Sequence, residues 1–293
     1  MKIIKDFGDY EILDMSCGQK LERWNSVMLS RPDPQIIWNS KTRPALWDSI
    51  DAKYQRSNTG GGEWHIFNRE MPTSWTVTWK DLTFNLKLMG FKHTGLFPEQ
   101  AYNWDIIRNK IKNENREVKV LNLFAYTGGA SVAALSAGAS VVHVDSSRGM
   151  VDWAKENVKS SGLQDLPIRY IVDDVVKFVE REIRRGNKYD IIIMDPPSFG
   201  RGSNKEIWNI ETDLYNLVKL CTEVLSDDPI MFLINSYTTG LSMNVLADIL
   251  KLTVNKKCEG NIECDEIGIP MKDSDLILPC GIFARWERDK YED

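Results

Sequence analysis

VKVLNLFAYTGGASVAALSAGASVVHVD, residues 118–145, decides the fold. Val118, Val120, Leu121, Leu123 and Phe124 form a short apolar run of the kind that makes a buried strand. The turn Ala125-Tyr126-Thr127-Gly128-Gly129 follows, then a small-residue helix over 130–137 ended by Gly138, then a second apolar strand that stops at Asp145. Strand, glycine turn, helix, strand and acid together are the unit that holds a nucleoside-containing cofactor in open α/β sheets. Gly128 and Gly129 let the backbone turn tightly and approach a ligand with no Cβ in the way. A carboxylate at the end of the second strand can accept both hydroxyls of a ribose. The plainer alternative is an ordinary βαβ turn with a surface Asp.

The alternation continues downstream. Ser147 stands where it can cap a helix over 148–160, ended by Gly162. A strand over 168–172 ends in Asp173-Asp174, and a helix over 175–185 carries a basic tail to Lys188. A strand over 189–194 ends in Asp195-Pro196-Pro197, a helix is expected over 207–225, and a fifth strand over 230–234 ends in Asn235. After a helix over 241–252, strands near 258–269 and 277–286 close the sheet as a hairpin. The near-continuous apolar middle strands predict a mostly parallel, Rossmann-like α/β sheet covered on both faces. Right-handed crossovers then bring every strand's C-terminal end to one edge.

That edge collects Thr127-Gly128-Gly129, Asp145, Asp173-Asp174, Asp195 and Asn235. Acids there would repel the pyrophosphate of a dinucleotide. A cofactor with an adenosine moiety and a positive charge fits better, and S-adenosyl-L-methionine carries a sulfonium, a ribose and an adenine. Asp145 would hold the ribose diol. Asp174 is favoured to accept from the adenine amine, with Asp173 its rival; each charged hydrogen bond of this kind is worth about 1.5–3 kcal/mol. In Asp195-Pro196-Pro197-Ser198-Phe199 the two prolines fix an extended exit. The carbonyls of Asp195 and Pro196 are expected to point into the crevice as acceptors for a planar amine, with Phe199 placed to stack on a base. A rigid strand exit is the alternative.

Upstream, residues 1–88 read as a small β-rich module and 89–293 as the catalytic domain. The module is rich in tryptophan (Trp24, Trp38, Trp47, Trp64, Trp75, Trp79). SWTVTWKDLTFNLK, residues 74–87, alternates apolar and polar around Lys80-Asp81 and predicts a hairpin. A helix is expected over 43–54 and a flexible loop over 57–62. The aromatics are read as core, with a stacking platform for unpaired bases as the functional alternative. The pattern is equally compatible with a homodimer surface, a substrate clamp or a lid.

The net charge of −5 counts mildly against nucleic acid, although basic segments at 181–188 and 201–205 lie near the expected crevice. No run of about 18 apolar residues suggests a membrane span, and the acidic N-terminal segment is unlike a signal peptide; a cytoplasmic protein with no membrane partner is expected. The five cysteines are odd in number, widely spaced and without a CxxC pair, so free thiols are expected rather than disulfides or a zinc site, and no metal is required.

With these motifs in view, the chain resembles the class I S-adenosylmethionine-dependent methyltransferases, in particular those similar to the bacterial large-subunit ribosomal RNA enzymes that make 5-methylcytosine or 7-methylguanine; its N-terminal module resembles that of an uncharacterised bacterial branch. The resemblance rests on KHTGLFPEQ (92–100), NLFAYTGG (122–129), VDSS (144–147), Asp173-Asp174 and DPPSFGRG (195–202). It implies a seven-stranded sheet with an antiparallel last strand and a loop over the cofactor at 94–100. The implied cofactor set is Thr94, Gly95, Phe97, Pro98, Gln100, Phe124, Ala125, Tyr126, Thr127, Gly128, Asp145, Ser146, Asp173, Asp174 and Asp195. The catalytic set is Asp195, Pro196, Pro197 and Phe199, with ribosomal RNA as the favoured partner. Two departures matter. Glu99-Gln100-Ala101 stands where the ribosomal enzymes usually have Asp-Gln-Arg. Neither the proline motif nor Asn235-Ser236-Tyr237-Thr238-Thr239 contains the cysteine that carbon-5 methylation needs, because that carbon is a poor nucleophile until a thiolate adds to the ring. A nitrogen acceptor is therefore expected, and 5-methylcytosine is not. Two other readings stand beside it: a methyltransferase for a small molecule or protein side chain, and a non-catalytic cofactor-binding RNA module, against which the intact proline motif argues.

Overall fold

Buried on both faces, the apolar runs of the central segments form one sheet. The computed structural model describes residues 1–4, 6–57, 61–201 and 207–289; 58–60 of the expected loop, and 202–205 of the proline motif and basic segment, lie outside them. The chain divides into two compact units, one of Met1–Lys2, Tyr102–Ile267 and Gly281–Asp293, the other of Ile3–Ala101 and Gly268–Cys280.

The first, the α/β unit, is built on β1 (Lys119–Leu123), β2 (Ser140–Asp145), β3 (Ile168–Val172), β4 (Ile191–Met194), β5 (Met231–Ser236), β6 (Gly260–Pro270) and β7 (Ile277–Arg288). Their order across the sheet is β6-β7-β5-β4-β1-β2-β3, with the two-residue strand Lys2–Ile3 as an eighth strand beyond β6. β3, β2, β1, β4 and β5 run parallel, and β7 runs antiparallel to β5, as expected for the last strand. Val120 faces Val141 on one side and Ile191 on the other, and Ile191 faces Met231. The strand order reverses between β1 and β4, which opens a crevice beyond their C-terminal ends.

The longer helices of this unit are α1 (Ala101–Lys112, from Tyr102 on), α2 (Gly129–Ser136), α3 (Arg148–Ser160), α4 (Val175–Arg185), α5 (Ile210–Cys221) and α6 (Met243–Leu252). Phe178, Val179, Leu214, Leu217, Phe232 and Trp286 form much of the core between sheet and helices. Two helix expectations change. Ile207–Asn209 is a strand paired with Phe199–Arg201, and the helix starts only at Ile210, because the Asn209 side chain caps it by accepting from Glu211 N at 3.0 Å. Ser147 occupies the position before α3 without a side-chain cap bond; its own N–H donates to Asp145 Oδ1 at 2.9 Å.

The N-terminal unit holds a five-stranded sheet of Tyr10–Ser16, Gln19–Trp24, Val27–Pro32, Ala52–Arg56 and Gly62–Ile66, in that order. Trp75–Trp79 and Leu82–Leu86 make the expected hairpin, with Trp75, Val77, Trp79, Leu82, Phe84 and Leu86 all buried. The helix expected over 43–54 is instead a single 3₁₀ turn, Pro44–Asp48, followed by a strand. That turn buries no residue, and Ala52 and Lys53 pair with Leu29 and Ser30. Residues 268–280 join this unit through a parallel bridge between Ile12 and Met271 and through Lys272 N, which donates to Ile12 O at 2.8 Å. Glu22 is fully buried here. It accepts from Arg31 Nε at 2.5 Å, Arg31 Nη2 at 2.8 Å and Tyr10 Oη at 2.6 Å. Burial alone would raise its carboxyl, but Arg31 and Lys20 outweigh that and hold it at about 2.

Within the α/β sheet, one polar chain lies under the β1–α2 turn. Asn122 Nδ2 on β1 donates to Ser131 Oγ on α2 at 2.9 Å, and Ser131 Oγ stands 3.0 Å from Nδ1 of His143 on β2. His143 is fully buried and its Nε2 has no partner among the described residues, so a charged ring would bury an N–H with no acceptor. Burial pushes its pKa from 6.5 down to about 3. Between those values the unfolded chain binds the proton and the folded chain does not, so stability present above pH 6.5 is lost as the pH falls through that window. Urea unfolding should show His143 costing about 2 kcal/mol by pH 5 relative to neutral pH. His143→Leu, weaker at neutral pH, should flatten the profile by that amount; parallel profiles for the two proteins would rule the account out.

Candidate active site

The turn after β1 is strained in a regular way. Phe124, Tyr126 and Gly128 all have positive φ, at 53°, 50° and 87°. Left-handed conformations at non-glycine residues persist only where neighbours enforce them. Here Ala125 N donates to Val144 O at 3.0 Å, Tyr126 N to Asp145 Oδ2 at 2.8 Å and Gly128 N to Ala125 O at 2.9 Å. The two glycines answer to helix packing rather than to ligand approach alone. A Cβ on Gly128 would stand 2.9 Å from Ala154 Cβ of α3, and one on Gly129 would stand 2.5 Å from the Trp104 ring of α1.

Asp145 ties this turn to the next one by accepting from Tyr126 N and Ser147 N. Burial raises its pKa, and the two backbone donors pull it back. An ionised carboxylate has about four acceptor positions, so two remain for a diol. At the end of β3 the two acids part company. Asp173 N donates to Asp145 O at 3.1 Å, while the Asp173 carboxylate accepts from Asp174 N at 2.8 Å and pairs with Arg181. Asp174 caps α4 by accepting from Lys177 N at 3.0 Å and lines the crevice. Part of the basic tail expected to face RNA is engaged internally: Arg181 with Asp173, Arg185 with Glu182, and Lys188 Nζ with Glu223 O.

A groove of about 670 Å³ opens at these strand ends. Of the candidate residues, Phe124, Asp145, Ser146, Asp174 and Pro197 line it. Asp173, Ala125, Tyr126, Thr127, Gly128, Asp195, Pro196 and Phe199 do not line it. Ala125 and Thr127 are buried, and Thr127 O accepts from Asn157 Nδ2 at 2.8 Å. Asp195 is half-buried, Pro196 is buried and Phe199 is exposed. Asn235, at the end of β5, accepts from Asn103 Nδ2 of α1 at 3.0 Å. The remaining expected residues belong to the N-terminal unit. There Thr94 is buried with its carbonyl on Lys87 N at 3.2 Å, and Gly95 has φ of 106°. The Phe97 ring lies 5.3 Å from that of His93, and Pro98–Gln100 forms one buried 3₁₀ turn.

Trp208 was missed, because residues 207–209 were read as helix. Its indole Nε1–H donates to Pro197 O at 2.7 Å and its ring lies 4.9 Å from Phe124, so one side chain joins the turns after β1 and β4 across the groove. Within the proline motif, Pro197 O thus accepts from Trp208, and Ser198 O accepts from Ile210 N at 3.1 Å. Ser198 Oγ, 2.7 Å from Thr238 Oγ1, ties the same exit to the segment after β5. Val175, Leu217 and Leu220 add apolar wall suited to a flat ring. Among lining residues, Asp145, Asp174, Glu180 and Asp213 face a single cation, Lys177, a balance that favours a positively charged ligand over a phosphate.

A family model for S-adenosylmethionine-dependent methyltransferases matches residues 45–246. A solved S-adenosylmethionine-dependent methyltransferase from Agrobacterium tumefaciens superposes with a TM-score of 0.94 at 33% identity, covering 98% of this chain and 93% of that one. Ribosomal RNA large subunit methyltransferase K/L of Pseudoalteromonas atlantica is 37% identical over 144 residues, 48% of this chain and 19% of that protein. The protein of the same name from a Shewanella species (strain MR-4) is 32% identical over 192 residues, 64% of this chain and 25% of that protein. The chain thus spans about a fifth to a quarter of the length of these curated relatives.

Trp208→Phe keeps the ring and removes the N–H donor. Calorimetry should show S-adenosylmethionine binding weakened about 2–10-fold, the range of one lost neutral hydrogen bond. Trp208→Ala should weaken it further, and wild-type affinity in both variants would remove Trp208 from the site.

Proposed function

This chain belongs to the S-adenosylmethionine-dependent methyltransferase family, and on that premise we propose that it methylates a nitrogen of an RNA base, with ribosomal RNA the favoured source. S-adenosylmethionine is its cofactor and methyl transfer its reaction. In this reading Asp145 holds the ribose diol, Asp174 the adenine amine, and Phe124 and Trp208 flank the cofactor. When bound there, S-adenosylmethionine would supply an electrophilic methyl group to the acceptor nitrogen, with S-adenosylhomocysteine as the co-product. Alignment and acceptors for the amine protons are what the enzyme must supply. Asp195, at the exit of β4, takes an amine proton, and the Pro196 carbonyl takes a second hydrogen bond. Phe199, 56% exposed, stacks on the base.

The observation that carries the choice of nitrogen is where the thiol of this unit's core lies. Cys221 is fully buried in α5, and burial pushes its pKa far up, so it offers no thiolate. Neither β4 nor β5 ends in a cysteine. The ribosomal RNA names of the curated relatives support RNA as acceptor. The net charge of −5 favours the second reading, a protein or small-molecule acceptor.

Labelling total cell extract with a tritiated methyl donor, then separating RNA, protein and small molecules, should put the label in RNA. Label confined to another fraction would defeat the RNA assignment. Asp195→Ala should abolish transfer while S-adenosylmethionine still binds measurably; equal loss of both would reduce Asp195 to a cofactor or structural residue. A covalent adduct with RNA containing 5-fluorocytosine would overturn the nitrogen assignment.

A further inference from the structure

One sheet face of the N-terminal unit is aromatic and basic. Tyr54 and Trp64 are register partners on Ala52–Arg56 and Gly62–Ile66, with ring centroids 5.4 Å apart. Strand alternation puts Arg56 and Ile66 on the same face. The Trp64 indole N–H lies within hydrogen-bond reach of two carbonyls, Met89 at 2.9 Å and Phe91 at 3.1 Å. That bond fastens the backbone of 89–91 to this face, where Trp64 is half-buried and Ile66 57% exposed, and Phe91 itself is 62% exposed. Large apolar side chains scattered singly need no explanation, whereas a group fastened together at one place marks an interaction site.

The next residue, Lys92, supplies charge. Burial, together with Lys20, Arg31 and Arg56, lowers its pKa; Asp33 is the one acid acting against them. Lys20 is already shared between Asp33 at 3.4 Å and Glu22 at 3.6 Å, and Arg31 is committed to Glu22. Among the described residues neither Lys92 nor Arg56 has a carboxylate within ion-pair distance. His93, pushed down to about 4 by burial and by Arg31, Lys92 and Lys20, adds a neutral ring. Two cations without a carboxylate therefore sit beside flat rings, and an anion joined to a π-face is the chemistry that completes them.

We propose that this face binds single-stranded RNA, with an unpaired base stacked on Phe91 and Trp64 and the backbone phosphates on Lys92 and Arg56. A duplex keeps its bases stacked inside and offers the rings nothing, whereas unpaired bases stack readily on exposed aromatics. The proposal rests on the reading that the acceptor is RNA and adds where the chain holds it.

The test uses the full chain and fluorescein-labelled oligouridine, with a duplex of equal length beside it, read by anisotropy from about 50 to 200 mM salt. Phe91→Ala should weaken single-strand binding about tenfold at every salt concentration, as expected for one lost stacking partner. Lys92→Gln should weaken it mainly at low salt and reduce the slope of log K against log salt by about 0.7. Calorimetric affinity for S-adenosylmethionine should be unchanged in both variants, which shows that neither has misfolded. Unchanged RNA binding in both, or a duplex bound more tightly than the single strand, overturns the proposal. Wild-type protein that binds no RNA overturns it together with the RNA acceptor, as does a face whose substitution abolishes capture of a protein substrate instead. RNA bound through this face but never methylated would defeat only the acceptor assignment.

Discussion

The site depends on one carboxylate accepting two backbone N–H groups. Asp145 holds Tyr126 and Ser147 at once, and so fixes the turns after β1 and β2 to each other. The backbone of Asp173 adds the turn after β3 through Asp145 O. Without such donors a carboxyl this buried would tend toward its neutral form; with them it keeps acceptor capacity facing the groove. The positive φ angles at Phe124 and Tyr126 are the conformational cost of the arrangement, and helix packing against Gly128 and Gly129 holds them in place.

A second layer supports this. Asn122, Ser131 and His143 link β1, α2 and β2 directly beneath the same turn, and Gly128 lies against the His143 ring. These hydrogen bonds tie the three elements together at Nδ1 of His143, while its buried Nε2 has no partner among the described residues. Trp208 does the corresponding work at the groove's other wall, where it joins Phe124 to the proline exit. The groove is thus framed by contacts within the protein, and its acids remain for a cationic donor.

Much of this was legible in the sequence because it rests on local patterns. The strand alternation and the 74–87 hairpin each carry a short-range signal and form as expected, and Asp145 stands at the end of its strand. What was not legible depends on long-range partners. The sequence favours Asp174 but leaves Asp173 its rival, and the Arg181 ion pair of Asp173 and the helix cap of Asp174 separate the acid that braces from the acid that faces the groove. Trp208 was hidden by a helical reading of 207–225, although Asn209 is a good helix cap and could have marked the later start. The glycines were credited to a ligand because Ala154 and Trp104, which crowd them, are distant in sequence. The segment 43–54 carried enough helix-compatible residues to mislead, and the pairing with Val27–Pro32 that makes its end a strand is non-local.

The N-terminal unit is discontinuous, completed by residues 268–280 from between the last two strands of the other unit. During synthesis the five-stranded sheet is translated before the α/β unit, yet the segment that bridges Ile12 and carries Lys272, the partner of Glu11, follows residues 102–267. Domains that fold as units while the chain elongates do so most simply when each is one continuous segment. Here the N-terminal unit cannot be completed until residues 102–267 of the other unit have been made, so a nascent chain carries a partly built β-module through most of the synthesis of the α/β unit.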